Sequence, residues 1–345
     1  MPGYCRAFKY NYRIMVEKIP TIPIFLPNLG CPHRCLFCNI RKAFGVEDIP
    51  CPEDVEKMLG DICRVAKSNI EVALYGGTFT ALPFDVMKVY LDSVIKGCGE
   101  KLSHIRISTR PDCINEDILK LLKEYKVSVI EIGVQSFDDD VLKAINRGHT
   151  SDDSYNAISL IKKSGFTSGI QLMFGLPDET FDSFNKTIKK TIEVKPDLVR
   201  LHPTLVLKGS ELENWYNDGR FTPLTIEEAI EWGLFAYKEL SGKGIKVHRI
   251  GLSSGPVIDK SVVAGPYSPA FGEMVLSRYR RFTIEREIME MKGVKKVEVS
   301  VPAKLLSQFI GHKRENIRYF YDKYGIDVII SPDPGLNDEK ISVKA

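Results

Sequence analysis

No apolar run in the 345 residues approaches the roughly 20 needed to cross a bilayer. The stretch from Met1 to Arg13 is polar and aromatic, without the apolar core of a signal peptide. Both absences argue against a membrane partner and set a cytoplasmic address as the expectation. Cysteine is missing from the last two thirds of the chain, where an extracellular disulfide framework would staple the whole length. All eight (Cys5, Cys31, Cys35, Cys38, Cys51, Cys63, Cys98 and Cys113) lie in the first third. A strong charge of one sign is lacking too: a net +3 is too small to argue for nucleic acid and only fails to exclude it. With 43% hydrophobic and 27% charged residues the composition is globular rather than disordered. The length suits one large domain plus a small module.

What is present concentrates in one loop, Gly30-Cys31-Pro32-His33-Arg34-Cys35-Leu36-Phe37-Cys38-Asn39, which follows the strand-like run Ile22-Pro23-Ile24-Phe25-Leu26. Its C-x3-C-x2-C spacing makes a compact thiolate cradle, and soft sulfur selects iron–sulfur clusters, zinc or copper(I). A structural zinc wants four ligands, whereas the loop offers three thiolates and the nearby nitrogen of His33. A cubane cluster on three cysteines keeps one iron open, as a reaction centre requires. Zinc with His33 or a distant fourth ligand, and three ordinary buried thiols, are the alternatives. Cys63 shares a helical face with Val55, Met58, Leu59, Ile62 and Ala66 and reads as a small core residue, as do Cys51, Cys98 and Cys113.

After the loop, strand and helix signals alternate. Pro52, tolerated at a first helical position, opens a helix to about Lys67. Strands are expected at Ile70–Tyr75, His104–Ser108, Val129–Val134, Ile170–Phe174, Leu198–His202 and Val247–Ile250. Helices are expected at 84–95, 116–124, 151–163 and 181–194, and Thr225-Ile226-Glu227-Glu228 has capping-box spacing ahead of 229–240. Such alternation specifies parallel strands with helical crossovers. Six or seven units predict an α/β fold, a partial (open) parallel β/α barrel, with ligands at the C-terminal ends of the strands.

Several strand ends carry ligand chemistry. Gly76-Gly77-Thr78 follows a strand directly, so the backbone can approach a ligand closely. Ser108-Thr109-Arg110-Pro111-Asp112 ends the third strand, and Glu131 to Phe137 the fourth. Gln135 is suited to ribose hydroxyls or to loop backbone groups. Met173 can pack on an adenine or in a core. In residues 1–18, Arg6, Lys9, Arg13 and Lys18 interleave with Tyr4, Phe8, Tyr10 and Tyr12, a pattern that grips nucleic acid or packs on the barrel. Residues 253–290 read as a loop-rich closing segment. Beyond it a β-α-turn-α-β order is expected, with the turn at Ile310-Gly311-His312-Lys313-Arg314.

The cysteine loop, with an aromatic residue before its last cysteine, resembles the radical S-adenosylmethionine (SAM) superfamily. Ser108 to Asp112, Glu131 to Phe137, Asn146-Arg147-Gly148-His149-Thr150 and His202-Pro203-Thr204-Leu205-Val206-Leu207-Lys208-Gly209 look, more specifically, like the radical SAM half of the Elongator catalytic-subunit family. That family modifies wobble uridines in tRNA. The resemblance runs from about Leu29 to Arg249. It implies a 4Fe-4S cluster on Cys31, Cys35 and Cys38, with SAM chelating the open iron. It also implies SAM contacts from Phe37, Gly76, Gly77, Thr78, Ser108, Gln135 and Met173. The partners implied are RNA, tRNA foremost, and a reductant such as flavodoxin or ferredoxin. Two departures stand out. The spacing between the first two cysteines is shorter than is usual in that family, and the 345 residues are expected to be too few for its acetyltransferase domain, which leaves a CoA-dependent step in doubt.

The segment 291–345 resembles a KH-like RNA-binding module, with Arg314 where the second glycine of a GXXG clamp would stand. Lys313, Arg314 and Arg318 are its candidate phosphate contacts. A docking domain with solvated charges is the alternative. The functional expectation is therefore a radical SAM enzyme acting on RNA. Its rivals are an oxygen-independent coproporphyrinogen dehydrogenase-like enzyme, which Gly133 to Phe137 also resemble, and a non-catalytic RNA-binding protein with a structural metal. His202, Tyr216 and His248 are candidates for quenching a substrate radical by position alone.

Overall fold

The computed structural model describes residues 19–46, 48–252, 255–291, 293–336 and 340–345; the basic and aromatic stretch 1–18, with Cys5, lies outside them. Six strands line up in chain order, each parallel to the last: β1 (Thr21–Phe25), β2 (Ile70–Tyr75), β3 (Leu102–Thr109), β4 (Val127–Gln135), β5 (Thr167–Phe174) and β6 (Leu198–Pro203). A two-residue strand, β7 (Val206–Leu207), leaves the sheet, and β8 (Lys246–Ile250) pairs with β6 as the seventh member. β1 and β8 do not pair with each other, so the sheet is a curled, open half-barrel. The expected partial parallel β/α barrel is the fold found.

Local signals start the crossover helices. Pro52 occupies the first turn of Pro52–Val65, and Asn115 accepts a hydrogen bond from the Ile118 amide to cap Glu116–Glu124. Ser151–Lys163 and Ile226–Gly242 open on capping boxes, Thr150 with Asp153 and Thr225 with Glu228. No helix among the described residues is long and apolar enough to cross a membrane.

Each strand has two unlike faces. Val72, Leu74, Ile105, Ile107, Ile130, Ile132, Ile170, Leu172, Val199 and Leu201 are at most 1% exposed and join one core beneath the helices. The alternate positions turn Glu71, Arg106, Glu131, Gln171 and Arg200 into the lumen. Arg106 donates to both Glu71 oxygens at 2.8 and 2.9 Å and to Glu131 at 2.6 Å. Arg200 reaches the same Glu131 oxygen at 2.9 Å and the Tyr75 hydroxyl at 2.7 Å. Burial would raise the Glu71 carboxyl, but the hydrogen bonds and charge of Arg106 hold it below the ordinary carboxylate range.

One element departs from the sequence reading. The segment taken as loop-rich contains the 19-residue helix Phe271–Met289. Its Phe271 and Val275 belong to the barrel core, while Ile284 and Ile288 belong to a second core. Because it serves two cores on different flanks, its apolar residues form no single stripe for periodicity to detect. A short strand before it, β9 (Val262–Ala264), pairs antiparallel with β7. The second core is built on β10 (Lys296–Pro302), β11 (Asp327–Asp333) and β12 (Ser342–Lys344), with β11 parallel and β12 antiparallel to the central β10. Helices Leu306–Ile310 and Glu315–Tyr324 lie between β10 and β11. Buried Asn316 donates to the carbonyls of Ser277, Gln308 and Phe309, tying the turn between those helices to the long helix.

Removing the guanidinium of Arg106 leaves two buried carboxylates short of their cation. Arg106→Met is expected to cost about 3–5 kcal/mol in urea denaturation. A loss under about 1 kcal/mol would show that the pairing does not hold the lumen together.

Candidate functional site

A cavity of about 490 Å³ opens at the C-terminal ends of the strands and extends down the open side of the half-barrel. Cys31, Cys35 and Cys38 line it, together with Phe37, Gly76, Gly77, Thr78, Ser108, Gln135 and Met173. The three thiols and every residue read as a SAM contact therefore face one volume. Lys313, Arg314 and Arg318 lie elsewhere, exposed on the turn and second helix of the C-terminal module.

Two flanks grip the cysteine loop. On the β2 side, the amides of Asn28 and Thr78 bond to the carbonyls of Gly76 and Leu29, each at 2.8 Å. A Cβ on Gly77 would stand 2.4 Å from the Leu29 carbonyl oxygen, and one on Gly30, whose φ is +74°, would stand 2.4 Å from that of Thr78. The two backbones interlock only because both residues are glycine. The Gly-Gly turn thus lines the cavity as expected, but its missing side chain at Gly77 makes room for the cysteine loop rather than for a ligand.

On the other flank, the Leu36 amide bonds to the Ile145 carbonyl and the Asn146 carboxamide to that of Arg34, each at 3.0 Å. Arg147 donates from Nη1 to Cys35 Sγ at 3.3 Å and from Nη2 to the Gly133 carbonyl. Arg110, itself paired through two bonds to Asp112, holds the Arg147 carbonyl at 2.6 Å. Each sulfur meets one polar side chain: Thr78 at Cys31 (3.3 Å), Arg147 at Cys35 and Asn28 at Cys38 (3.7 Å). Burial, and then the neighbouring Cys35, push the Cys38 thiol up to about 11. A thiol so placed becomes a thiolate when a metal cation compensates it. Among the described residues no three His, Cys, Asp or Glu side chains group tightly enough for one metal ion.

The remaining candidates fall into place around this centre. Thr78 is 1% exposed, and Gln135 adopts φ 68° beyond an irregularity in the β4–β5 register, where its carboxamide oxygen accepts from Gln171 at 3.3 Å. Met173 both lines the cavity and packs with Leu36, Leu142 and Ile145, so its two readings coincide. His202 and His248 reach the cavity, pushed down to about 3 and 4 chiefly by burial. Tyr216 does not line it. Cys63 and Cys98 are buried as expected, but Cys51 and Cys113 are only half-buried. Cys51 sits at the start of a helix beside Asp54, where a small polar cap is useful, rather than in the core. Sequence reasoning gave no cavity role to Arg147, Arg200 or Arg249, and took in Glu131 only as the first residue of the strand end Glu131 to Phe137. The signal for Glu131 and Arg200 was there: a single charge in mid-strand between apolar neighbours, Ile130 and Ile132 in one case and Val199 and Leu201 in the other.

A family model described as the radical SAM superfamily matches residues 26–191, and one described as the radical SAM C-terminal domain matches 196–281. A tRNA uridine(34) acetyltransferase of Methanocaldococcus infernus is 29% identical over 329 residues, covering 81% of this chain and 58% of the relative. The heme chaperone HemW of Bacillus subtilis is 25% identical, covering 64% of this chain and 60% of its own. The chain thus spans well under two thirds of both relatives. Among solved structures, Elp3 of Methanocaldococcus infernus with an N-terminal deletion superposes with a TM-score of 0.60 at 22% identity, covering 77% of this chain and 64% of that one, a likeness of fold. The two adjoining matches, on a half-barrel of this architecture, settle the affiliation: the chain belongs to the radical SAM superfamily.

Proposed function

We propose that this chain is an enzyme that cleaves SAM reductively at a 4Fe-4S cluster and directs the radical chemistry to RNA, with a tRNA base as target. The observation that carries the reading is the convergence of the three thiols of one loop and seven candidate SAM contacts on one cavity. Cys31, Cys35 and Cys38 would hold the cluster. When bound, it supplies the electron that breaks a carbon–sulfur bond of SAM, delivered by a reductant of the flavodoxin or ferredoxin kind in a cytoplasmic setting. The protein's own part is positioning. Gly76, Gly77 and Thr78 would border the methionine end, Ser108 and Gln135 the ribose, and Phe37 and Met173 would offer an apolar wall to the adenine. Arg147 holds the cysteine loop in place and sets a positive charge against Cys35.

RNA as substrate is supported by the tRNA-modifying relative and by the C-terminal module. Its turn, Gly311 to Arg314, joins two helices between parallel strands, the β-α-turn-α-β order of a KH-like domain. Arg314 takes the left-handed backbone, φ 62°, that a GXXG glycine would adopt freely. The chain accepts that strain and gains a cation at the tip. A tetrapyrrole substrate is the second reading, supported by the heme-chaperone relative; it gives the basic turn no task.

Three outcomes are expected. Anaerobic reconstitution with iron, sulfide, dithionite and SAM should yield 5′-deoxyadenosine, and Cys35→Ala should abolish it; undiminished product in that variant contradicts the ligand assignment. Arg147→Met should leave the fold intact by circular dichroism yet lose iron to a chelator about 10- to 100-fold more readily. Equal retention would remove Arg147 from the cluster's support. Replacing Lys313, Arg314 and Arg318 by Gln should weaken tRNA binding and lower the slope of log affinity against log salt by about 2 to 3. An unchanged slope would mean that the turn does not touch phosphate.

A further inference from the structure

We propose that the exposed face of helix Glu315–Tyr324 binds unpaired RNA, with Tyr321 as a stacking platform for one base beside the cations Lys313, Arg314 and Arg318. The inference rests on the RNA reading and narrows it, because the nucleic acid at this module is then single-stranded.

The helix carries four aromatic side chains, and three of them have structural work. Phe320 is buried in the second core. Tyr319 and Tyr324 both donate to the Glu285 carboxylate of the long helix, Tyr319 at 2.7 Å, and the Arg281 guanidinium lies 3.9 Å from the Tyr319 ring centroid. Tyr321 does none of this. At 66% it is the most exposed aromatic residue among those described, and its side chain makes no hydrogen bond or ring contact with them. One exposed aromatic residue is ordinary by itself. Its neighbours set this one apart.

Arg318 precedes Tyr321 by three residues, which places both on one face, about 4.5 Å apart along the axis. Lys313 and Arg314 form the turn that leads into the helix. All three cations are exposed, and none has a side-chain hydrogen bond or ion pair among the described residues. The other charged groups of the turn and helix do not neutralise them. Glu315 accepts from the Ser277 hydroxyl at 3.3 Å, Lys323 is held by Glu285 and Tyr319, and Asp322 alone stands as an exposed acid beside the face. Lys313 and Arg314 both take the left-handed backbone, φ 48° and 62°. Two such residues in succession are strained, and strain of that kind gathers where a turn has a task.

Cations alone would hold the phosphates of a duplex and of a single strand alike. A free aromatic ring beside them changes the preference. In a duplex both faces of a base are covered by its neighbours. An unpaired base can lay one face on Tyr321 while its phosphate meets a guanidinium. The occupant is therefore an unpaired stretch of RNA, such as a loop or an end.

Fluorescence anisotropy of the reconstituted chain measures binding of an oligouridylate, of the same strand paired with oligoadenylate, and of bulk tRNA. Tyr321→Ala should weaken the single strand about 5- to 100-fold and leave the duplex within about twofold. Its slope of log affinity against log salt should stay at the wild-type value, whereas Arg318→Gln should lower that slope by about 0.7. Tyr321→Phe, which keeps the ring, should bind as wild type does. Wild-type affinity for the single strand in Tyr321→Ala overturns the proposal, and so does an equal loss on the duplex. A dimer by size exclusion that Tyr321→Ala dissociates, with affinity for the single strand unchanged, assigns the face to a second copy of the chain instead. If tRNA binds and Tyr321 is indifferent, the inference falls alone. If wild type binds none of the three probes, the RNA reading falls and takes the inference with it.

Discussion

Arg106, held between Glu71 and Glu131, is the contact on which the interior depends. A closed eight-stranded barrel fills its inside with layers of apolar side chains. Seven strands that curl without closing keep an inner face that is neither solvent nor core. Charges placed there cost several kcal/mol each to desolvate and persist only when they are paired. The pairing runs across strands: Glu71 on β2, Arg106 on β3, Glu131 on β4 and Arg200 on β6. These links brace the floor of the lumen independently of the backbone ladder. The carboxylates of Glu71 and Glu131 thus find their cations within the floor itself.

The mouth obeys a different constraint. A loop carrying three thiols has no core of its own, so its shape is borrowed from both neighbours. Gly77 and Gly30 let it sink into the β2 turn, and Ile145, Asn146 and Arg147 close on it from the far side. The polar contacts at the sulfurs differ in kind: a hydroxyl, a guanidinium and a carboxamide. Hydrogen bonds and charges at the sulfurs are what set the electronic character of an iron–sulfur centre. Arg147 brings the one full charge among them, so Cys35 is the thiol whose surroundings differ most from those of its neighbours.

Most of this fold could be read before the structure was seen. Alternating helical and strand periods located the parallel strands; the helix expected at Pro52 starts there, and the one expected from 229 starts at Ile226, directly after the Thr225 cap. The cysteine spacing marked the centre. What stayed hidden is non-local. Arg147 acts on Cys35 from 112 residues away, through a left-handed step at Asn146 that no spacing rule encodes. Gly77 was rightly singled out, but the reason for its small size is a carbonyl of another loop. Helix Phe271–Met289 escaped because two cores share it. Arg249 sits on an edge strand, where a charge looks like ordinary solvent exposure until the curl of the sheet brings it over the cavity.

Mouth and floor together give the cavity a polarity. Its β1 edge presents the thiols of Cys31, Cys35 and Cys38, and its β6–β8 wall presents Arg200, held to Glu131, beside Arg249. Between them lie Gln135, Gln171 and Ser108, neutral groups able to donate and accept. For chemistry begun by a radical, orientation matters more than affinity, since the radical attacks whatever lies nearest. The charges that brace the open half-barrel also form part of the wall of its cavity, through Glu131 and Arg200.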